Sequence, residues 1–574
     1  MPYLTGCLCI EELAFTREKL GKSIVLTPVQ RRVGLRSHRF LNLNNLTVTF
    51  KKIKMNNPLK RIVIVGGGSA GWLTAGVIAA DHIVNNEAGI EVILIESPDI
   101  ASIGVGEGTW PSMRATLKKI GISETQFIRE CDASFKQGSK FINWSKGNNE
   151  FYYHPFTLPE NYSEINLAEH WFPFKSEISF ADAVCPQRFI ADRYLAPKQM
   201  PTPEYACVVN YGYHLDAGKF AILLKQHCID VLGVTYISDN VIQVNSTESD
   251  DIASLNTQFN GEISGDLFVD CTGFASLLLG QHYQIPFKDE RCVLFNDSAW
   301  AVQVPYADPD GDIESCTLST ATDSGWIWDI GLPTRRGVGH VFSSAYTTDE
   351  QAEKTLRQYL EPSVGKAAAD KVSPRKLTFN PGYREKFWHK NCVAVGIAAG
   401  FIEPLEATAL VLIEQSAQMI SEQLPDNRAV MDITAKRFND RFSHHWEKII
   451  EFLKLHYALT QRRDSDYWRD HCNPSTIPEN LKELLSLWKY QPPWIHDSVR
   501  AVEMFPSASF QYVLFGMDTP NHYGEAKRRN NIKNAELARE LFDGNAKRTQ
   551  QLVNRLPTNR ELLKRLSEYT FPKI

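Results

Sequence analysis

The sequence predicts an α/β protein in two parts: a Rossmann-like dinucleotide-binding module joined to a mixed β-sheet region, followed by a helical C-terminal module. Three observations carry this. Ile62 to Val65 are four branched apolar residues that run straight into Gly66-x-Gly68-x-x-Gly71 and a helical stretch, the strand, glycine turn and helix of a nucleotide-binding βαβ unit. Two later apolar runs, DLFVDCTG at 266–273 and KNCVAVGIAAG at 390–400, also end in glycine, as buried parallel strands feeding turns do. From about Ile433 helical periods dominate, with Trp446, Leu453, His456, Tyr457, Trp468 and Trp488 supplying apolar bulk.

In chain order, residues 1–54 precede the first strand, carry basic patches at Arg31, Arg32, Arg36 and Arg39, and show no clear amphipathic period. They read as a disordered extension or a mis-assigned start, with Met55 opening a natural-looking N-terminus. In the nucleotide turn, Gly66 makes the sharp bend, Gly68 lets a pyrophosphate approach, and Gly71 allows helix to pack on strand. The free N–H groups at Ser69 and Ala70 would face the pyrophosphate. The strand EVILI at 91–95 ends at Glu96, a carboxylate for a ribose hydroxyl. A glycine-rich loop from Ile103 to Pro111 feeds a helix near Ser112. CDASFKQGSKFINW at 131–144 turns into a strand, and Tyr152, Tyr153, His154 and Phe156 form an aromatic cluster that reads equally as a site or as a core seal. Residues 213–232 read as a helix, 234–244 as a strand region, and the stretch from Trp326 to Ser344 as β-structure. After FIEPLEATA at 401–409 a helix runs to about Leu424.

Composition narrows the function. Lys plus Arg number 62 against 67 Asp plus Glu, which argues against a nucleic-acid partner. The eleven cysteines show no repeated pair spacing, so no metal site or disulfide framework is expected and a reducing, cytoplasmic setting fits. No apolar run is long enough to span a membrane.

Five segments then stand together in order: GGGSAGW at 66–72, GVGEGTWP at 104–111, ASFKQGSKFINW at 133–144, GWIWDI at 325–330 and FIEPLEATA at 401–409. Together they resemble the flavin-dependent tryptophan halogenases, from about Met55 to Leu424 and more weakly through the helical part. The resemblance implies a two-part flavoprotein: an FAD-binding box module at 55–432 and a helical module at 433–574. In that family reduced flavin and oxygen oxidise halide to hypohalous acid, which travels an internal tunnel to an aromatic substrate. The family's lysine corresponds to Lys136 and its glutamate to Glu406, implying catalytic roles for both. An amine can polarise hypohalous acid or form a haloamine, and a carboxylate can stabilise a cationic ring and take its proton.

The same resemblance implies halide held by the backbone at Thr408 and Ala409, and Trp326 and Trp328 beside the flavin. It adds Gly108, Val241, Ile397 and Leu410 to Gly66, Gly68, Ser69, Ala70, Gly71 and Glu96 as the FAD cradle. Where the family has proline after its tryptophan motif this chain has Gly331. His154 and Phe156 fall where the family contacts substrate, but the segment at 504–516, MFPSASFQYVLFG, lacks the tyrosine and Phe-Trp pairs that clamp free tryptophan. An indole or other electron-rich aromatic is therefore expected, with chloride or bromide as co-substrate. No second nucleotide turn is evident, so a separate flavin reductase should supply FADH2; a homodimer is an open possibility. The rival readings are a flavin monooxygenase and a non-catalytic flavin-binding protein.

Overall fold

The computed structural model describes residues 58–83, 89–100, 106–498, 500, 503–523 and 532–573. The expectations for residues 1–54 and for Ile103 to Val105 fall outside these.

Strand β1 (Arg61–Val65), helix α1 (Ser69–His82) and strand β2 (Glu91–Glu96) form where the glycine turn predicts. The apolar side chains of β1 are buried on both faces, as a central parallel strand requires. β1 pairs in parallel with β2 on one side and with Leu267–Asp270 on the other. Cys392–Ala394 and Thr235–Ser238 extend the sheet in parallel, and Trp388–His389 closes one edge antiparallel. The two later glycine-ended runs thus return to the same sheet as β1. Among the described residues no helix is long and apolar enough to cross a membrane, and no cluster of three metal-ligating side chains occurs.

A second sheet of seven strands is mixed. Its centre is the antiparallel pair Gly325–Gly331 and Arg335–Phe342, whose register sets Trp328 opposite Gly339. A Cβ on Gly339 would fall 2.1 Å from the Trp328 ring, so glycine there makes room for the indole. Gly138–Ile142 joins this sheet in parallel to Thr317–Ala321 and pairs antiparallel with Phe151–Pro155. Glu107–Gly108, Gly212–Leu215 and Ser134–Lys136 form a separate three-stranded sheet with Gly212–Leu215 at its centre.

One expectation is corrected. The stretch 213–232 is not a single helix: Gly212–Leu215 is a strand, and the helix Ala217–Asp230 starts after Asp216, whose side chain accepts from Lys219 N–H. Tyr213 stands at helical spacing from Ala217 and Phe220, but its neighbours Glu107–Gly108 and Ser134–Lys136 supply ladder bonds on both sides, and tertiary pairing overrides a local pattern.

The long helix of the C-terminal part is Arg428–Ala458, capped by Asn427. Trp446, Ile449, Leu453 and Tyr457 on it are buried in the same core as β1 and Trp326. Tyr457 and Trp468 stack with ring centroids 5.9 Å apart.

Candidate active site

The nucleotide turn is tight at some glycines and open at one. A Cβ on Gly66, whose φ is +115°, would lie 2.2 Å from the Cys271 carbonyl oxygen, and one on Gly71 would lie 1.8 Å from the Gly66 carbonyl. A Cβ on Gly68 would meet nothing within 4 Å. The turn is therefore closed where it packs on protein and open where a phosphate approaches the start of α1, and these residues fit a dinucleotide. Glu96 stands against the turn, 2.2 Å from where a Gly67 Cβ would be, and its other oxygen accepts from Lys225 Nζ at 2.8 Å. Lys225 escaped the sequence reading because its strand-end partner lies 129 residues away. Val241 begins the strand Val241–Ser246, just beyond the Ser238 that pairs with Glu96. Ile397 lies in a short 3-10 turn whose Gly396 backs on Ala70: a Cβ there would come 2.8 Å from the Ala70 Cβ. Leu410 is buried in the helix Thr408–Glu422, which packs on α1.

This geometry separates two substitutions. Gly66→Ala forces a side chain into left-handed backbone against a carbonyl, and should cost about 3 kcal/mol or more of stability in denaturant unfolding. Gly68→Ala should leave unfolding unchanged and weaken retention of FAD, measured by ultrafiltration.

Lys136 ends one strand, and two residues later Gly138 begins a strand of a different sheet. The lysine thus occupies the corner where the chain changes sheets. It is 1 % exposed, and among the described residues its Nζ has no hydrogen bond or ion pair. The ring of Phe156 lies 5.4 Å from it. Burial pulls its pKa down to about 8, against the opposing field of Glu406. Gly108 lies directly against it: a Cβ there would sit 2.9 Å from Lys136 Nζ and 3.3 Å from the Ala407 Cβ. That glycine, expected to touch FAD, is also what lets the lysine and the Glu406–Ala407 turn approach each other.

Glu406 and Ala407 both have left-handed backbone, φ 64° and 55°, an arrangement non-glycine residues adopt only when their surroundings impose it. The turn aims the Glu406 carboxylate at His154, Nδ1 to Oε1 2.8 Å, with His456 Nε2 at 3.5 Å. Trp110 Nε1 donates to the Glu406 carbonyl at 2.8 Å. Beyond the two imidazoles, His154 Nε2 lies 2.9 Å from Ser509 Oγ, and His456 Nδ1 lies 2.7 Å from Tyr152 OH. Ser509 and Tyr152 thus hold the outer nitrogens of the two rings whose other nitrogens face Glu406. Burial raises the Glu406 pKa, but the two histidines outweigh it and hold the carboxyl well below the usual range. Glu406 is ionised at neutral pH.

Trp326 and Trp328 project from the same face of their strand, ring centroids 6.4 Å apart and planes inclined at 62°. Trp326 Nε1 donates to Glu403 Oε2 at 2.6 Å. Gly331 is the last residue of the strand and accepts from Ser134 Oγ at its carbonyl. Thr408 and Ala409 open the helix Thr408–Glu422 and line a largely apolar cavity together with Ile397 and Glu403.

The structure brings Lys136, Phe156, Glu406 and His154 into one cluster, and Ile397, Thr408 and Ala409 onto one cavity. The sequence reading expects a substrate contact at His154; in the structure its two ring nitrogens lie on Glu406 and Ser509. It missed His456, read as bulk on an apolar helix, and also Trp110 and Ser509.

The tryptophan halogenase profile matches residues 61–530. The chain belongs to the tryptophan halogenase family. It shares 53 % identity and a TM-score of 0.88 with the tryptophan halogenase structure from Shewanella frigidimarina, covering 90 % of this chain and 99 % of that one. The 7-chloro-L-tryptophan 6-halogenase KtzR of Kutzneria is 31 % identical over 88 % of this chain and 99 % of its own. BrvH, a flavin-dependent halogenase from Brevundimonas, is 31 % identical with a TM-score of 0.77, covering 88 % of this chain and 99 % of that one. Family membership makes this chain a flavin-dependent enzyme, and its α/β architecture is the family's.

Proposed function

We propose that the enzyme uses FADH2, oxygen and chloride or bromide to halogenate an indole or another electron-rich aromatic ring, through hypohalous acid delivered to Lys136. The observation that carries this reading is a lysine side chain 1 % exposed, whose amine has no hydrogen-bond partner among the described residues, next to an ionised glutamate. Structural lysines that deep are paired, as Lys198 is with Glu124 at 2.8 Å. An unpaired one retains its donors for an incoming molecule.

FAD, bound on the open turn and reduced, would supply with oxygen the two-electron oxidation of halide. The protein's own groups do the rest. Backbone N–H groups at Thr408 and Ala409 receive the halide at a helix start. Lys136 binds the hypohalous oxygen as an ammonium, or takes the halogen as the amine that a pKa near 8 makes accessible. Phe156 bounds the space beside the lysine, and Glu406 offsets positive charge on the ring and accepts its proton. The segment 504–516 carries no charged residue, and it sends Phe505 and Ser509 to the His154 side. A zwitterionic amino acid finds no charged partner on it, which favours indole over free tryptophan. A separate flavin reductase in the cytoplasm would supply FADH2.

The test incubates the purified enzyme with FAD, a flavin reductase, NADH and bromide or chloride, and compares indole, free tryptophan and larger indoles by mass spectrometry. A monohalogenated indole is expected, and chemically reduced FAD should replace the reductase. An oxygenated product without halogen would put the monooxygenase reading in its place.

A further inference from the structure

Glu403 is a buried carboxylate, 1 % exposed, that the mechanism above does not use. Three neutral donors converge on one of its oxygens: Trp326 Nε1 at 2.6 Å, Tyr457 OH at 2.7 Å and Asn296 Nδ2 at 2.7 Å. The other oxygen, Oε1, is buried with no partner. Glu403 lines the same cavity as Thr408 and Ala409, and the remainder of that wall, including Ile397 and Phe401, carries no other titratable side chain. The cavity is therefore lined by the first two residues of a helix and by a carboxyl group one of whose oxygens has nothing bonded to it.

An ionised carboxylate on an apolar wall repels an anion at short range, whereas a carboxylic acid in the same place offers it a hydrogen bond. With all donors on Oε2, a proton on Glu403 belongs on Oε1, the free oxygen. Resting on the reading of Thr408 and Ala409 as the halide contact, we propose that Glu403 controls anion occupancy of this cavity, admitting halide with a proton on Oε1 and excluding it without one. Burial pushes the Glu403 carboxyl upward, and its three donors only partly oppose that.

The charged and titratable groups around Glu403 leave it in charge of the cavity. From the long helix, Tyr457 is bonded to it and Lys454 acts at longer range. Lys454 is held by Val293 O, His471 Nδ1 and Thr476 Oγ1 and is not on the cavity wall. From Asp466–His471 come Tyr467, bonded to Asn296, and His471, stacked on Tyr457 at 4.1 Å. The strand Gly325–Gly331 contributes only the Trp326 indole, and in the adjoining turn Glu406 is engaged by His154. On the helix Thr408–Glu422, Glu414 is bonded to Ser112 and Thr116.

The experiment is a chloride titration of the full chain by chloride NMR line broadening, from about pH 5.5 to about pH 8.5, on wild type and Glu403→Gln. Affinity of the wild type should fall about fivefold or more as pH rises, because the anion and the carboxylate proton bind together. Glu403→Gln keeps an acceptor for the three donors and leaves Lys454, whose pKa burial draws down to about 7, to titrate as it does in the wild type, so the variant should retain only the weaker pH dependence of that more distant amine, at most about half the wild-type fold-change. By linkage, adding chloride to lightly buffered wild type near neutral pH should take up to about one proton per anion bound, and clearly less with Glu403→Gln, where Lys454 is left to titrate alone. Equal pH dependence in both proteins, or no proton uptake with chloride bound, overturns the role of Glu403. No chloride binding by either protein at any pH overturns the halide reading of Thr408 and Ala409 instead, and this proposal with it.

Discussion

Lys136→Met should go on consuming FADH2 and oxygen while losing halogenated product by about three powers of ten or more. An oriented electrophile reacts as though present at very high local concentration, and that advantage disappears when the group that orients it is removed. The variant also tests burial. The Lys136 pKa lies near 8 in the folded chain against the ordinary 10.5, so the charged form is disfavoured by about 3 kcal/mol on folding. That cost is fully present below pH 8 and is relieved as pH rises from about 8 to about 10.5, where the unfolded chain binds the extra proton. Methionine carries no such penalty, so Lys136→Met should melt at the same or a higher temperature at neutral pH and lack the wild type's alkaline gain. Near-normal product from this variant would mean that free hypohalous acid, or chemistry at the flavin itself, reaches the ring.

Glu406→Gln should lower product formation by about one to two powers of ten with oxygen consumption intact, since it removes a charge that matters most when the ring is cationic. The substitution has a second reading, on Lys136. Glu406 raises the lysine pKa against burial, so the variant should shift the alkaline limb of the activity profile and the amine's rate of acylation toward lower pH. A loss of rate with no movement of the lysine would show that the two groups act independently. Glutamine retains an oxygen for His154, so the turn should survive, and the melting temperature should move far less than the rate.

What the sequence made legible was local. The β1–turn–α1 unit rests on neighbours, and each of its glycines has the steric role its place in the turn demands. The cluster around Glu406 was half legible. Lys136 and Glu406 sit in distinctive short segments, but their partners come from 252 and 355 residues apart in the chain, as for His154 with Glu406 and Ser509 with His154. His456 has no local signature: one histidine among Phe452, Leu453 and Tyr457 on a buried helix looks like packing, and only the fold turns its Nε2 toward a carboxylate. The strand at Gly212–Leu215 was missed for the same reason, since its ladder partners lie far off in sequence.

The chain of contacts from Ser509 through His154 to Glu406 also bears on how the protein is made. A nascent chain emerges from its N-terminal side and folds as units become complete. Strands β1, β2 and Leu267–Asp270 can pair before Glu406 has been translated, and about a hundred further residues must come after Glu406 before Ser509 arrives to hold His154. The glycine turn and the strands around it are therefore in place during synthesis well ahead of the contacts that fix Glu406, with Ile397 and Leu410 joining them only late. A ribosome stalled between these two points would display a flavin-receptive surface without the site that disciplines its chemistry.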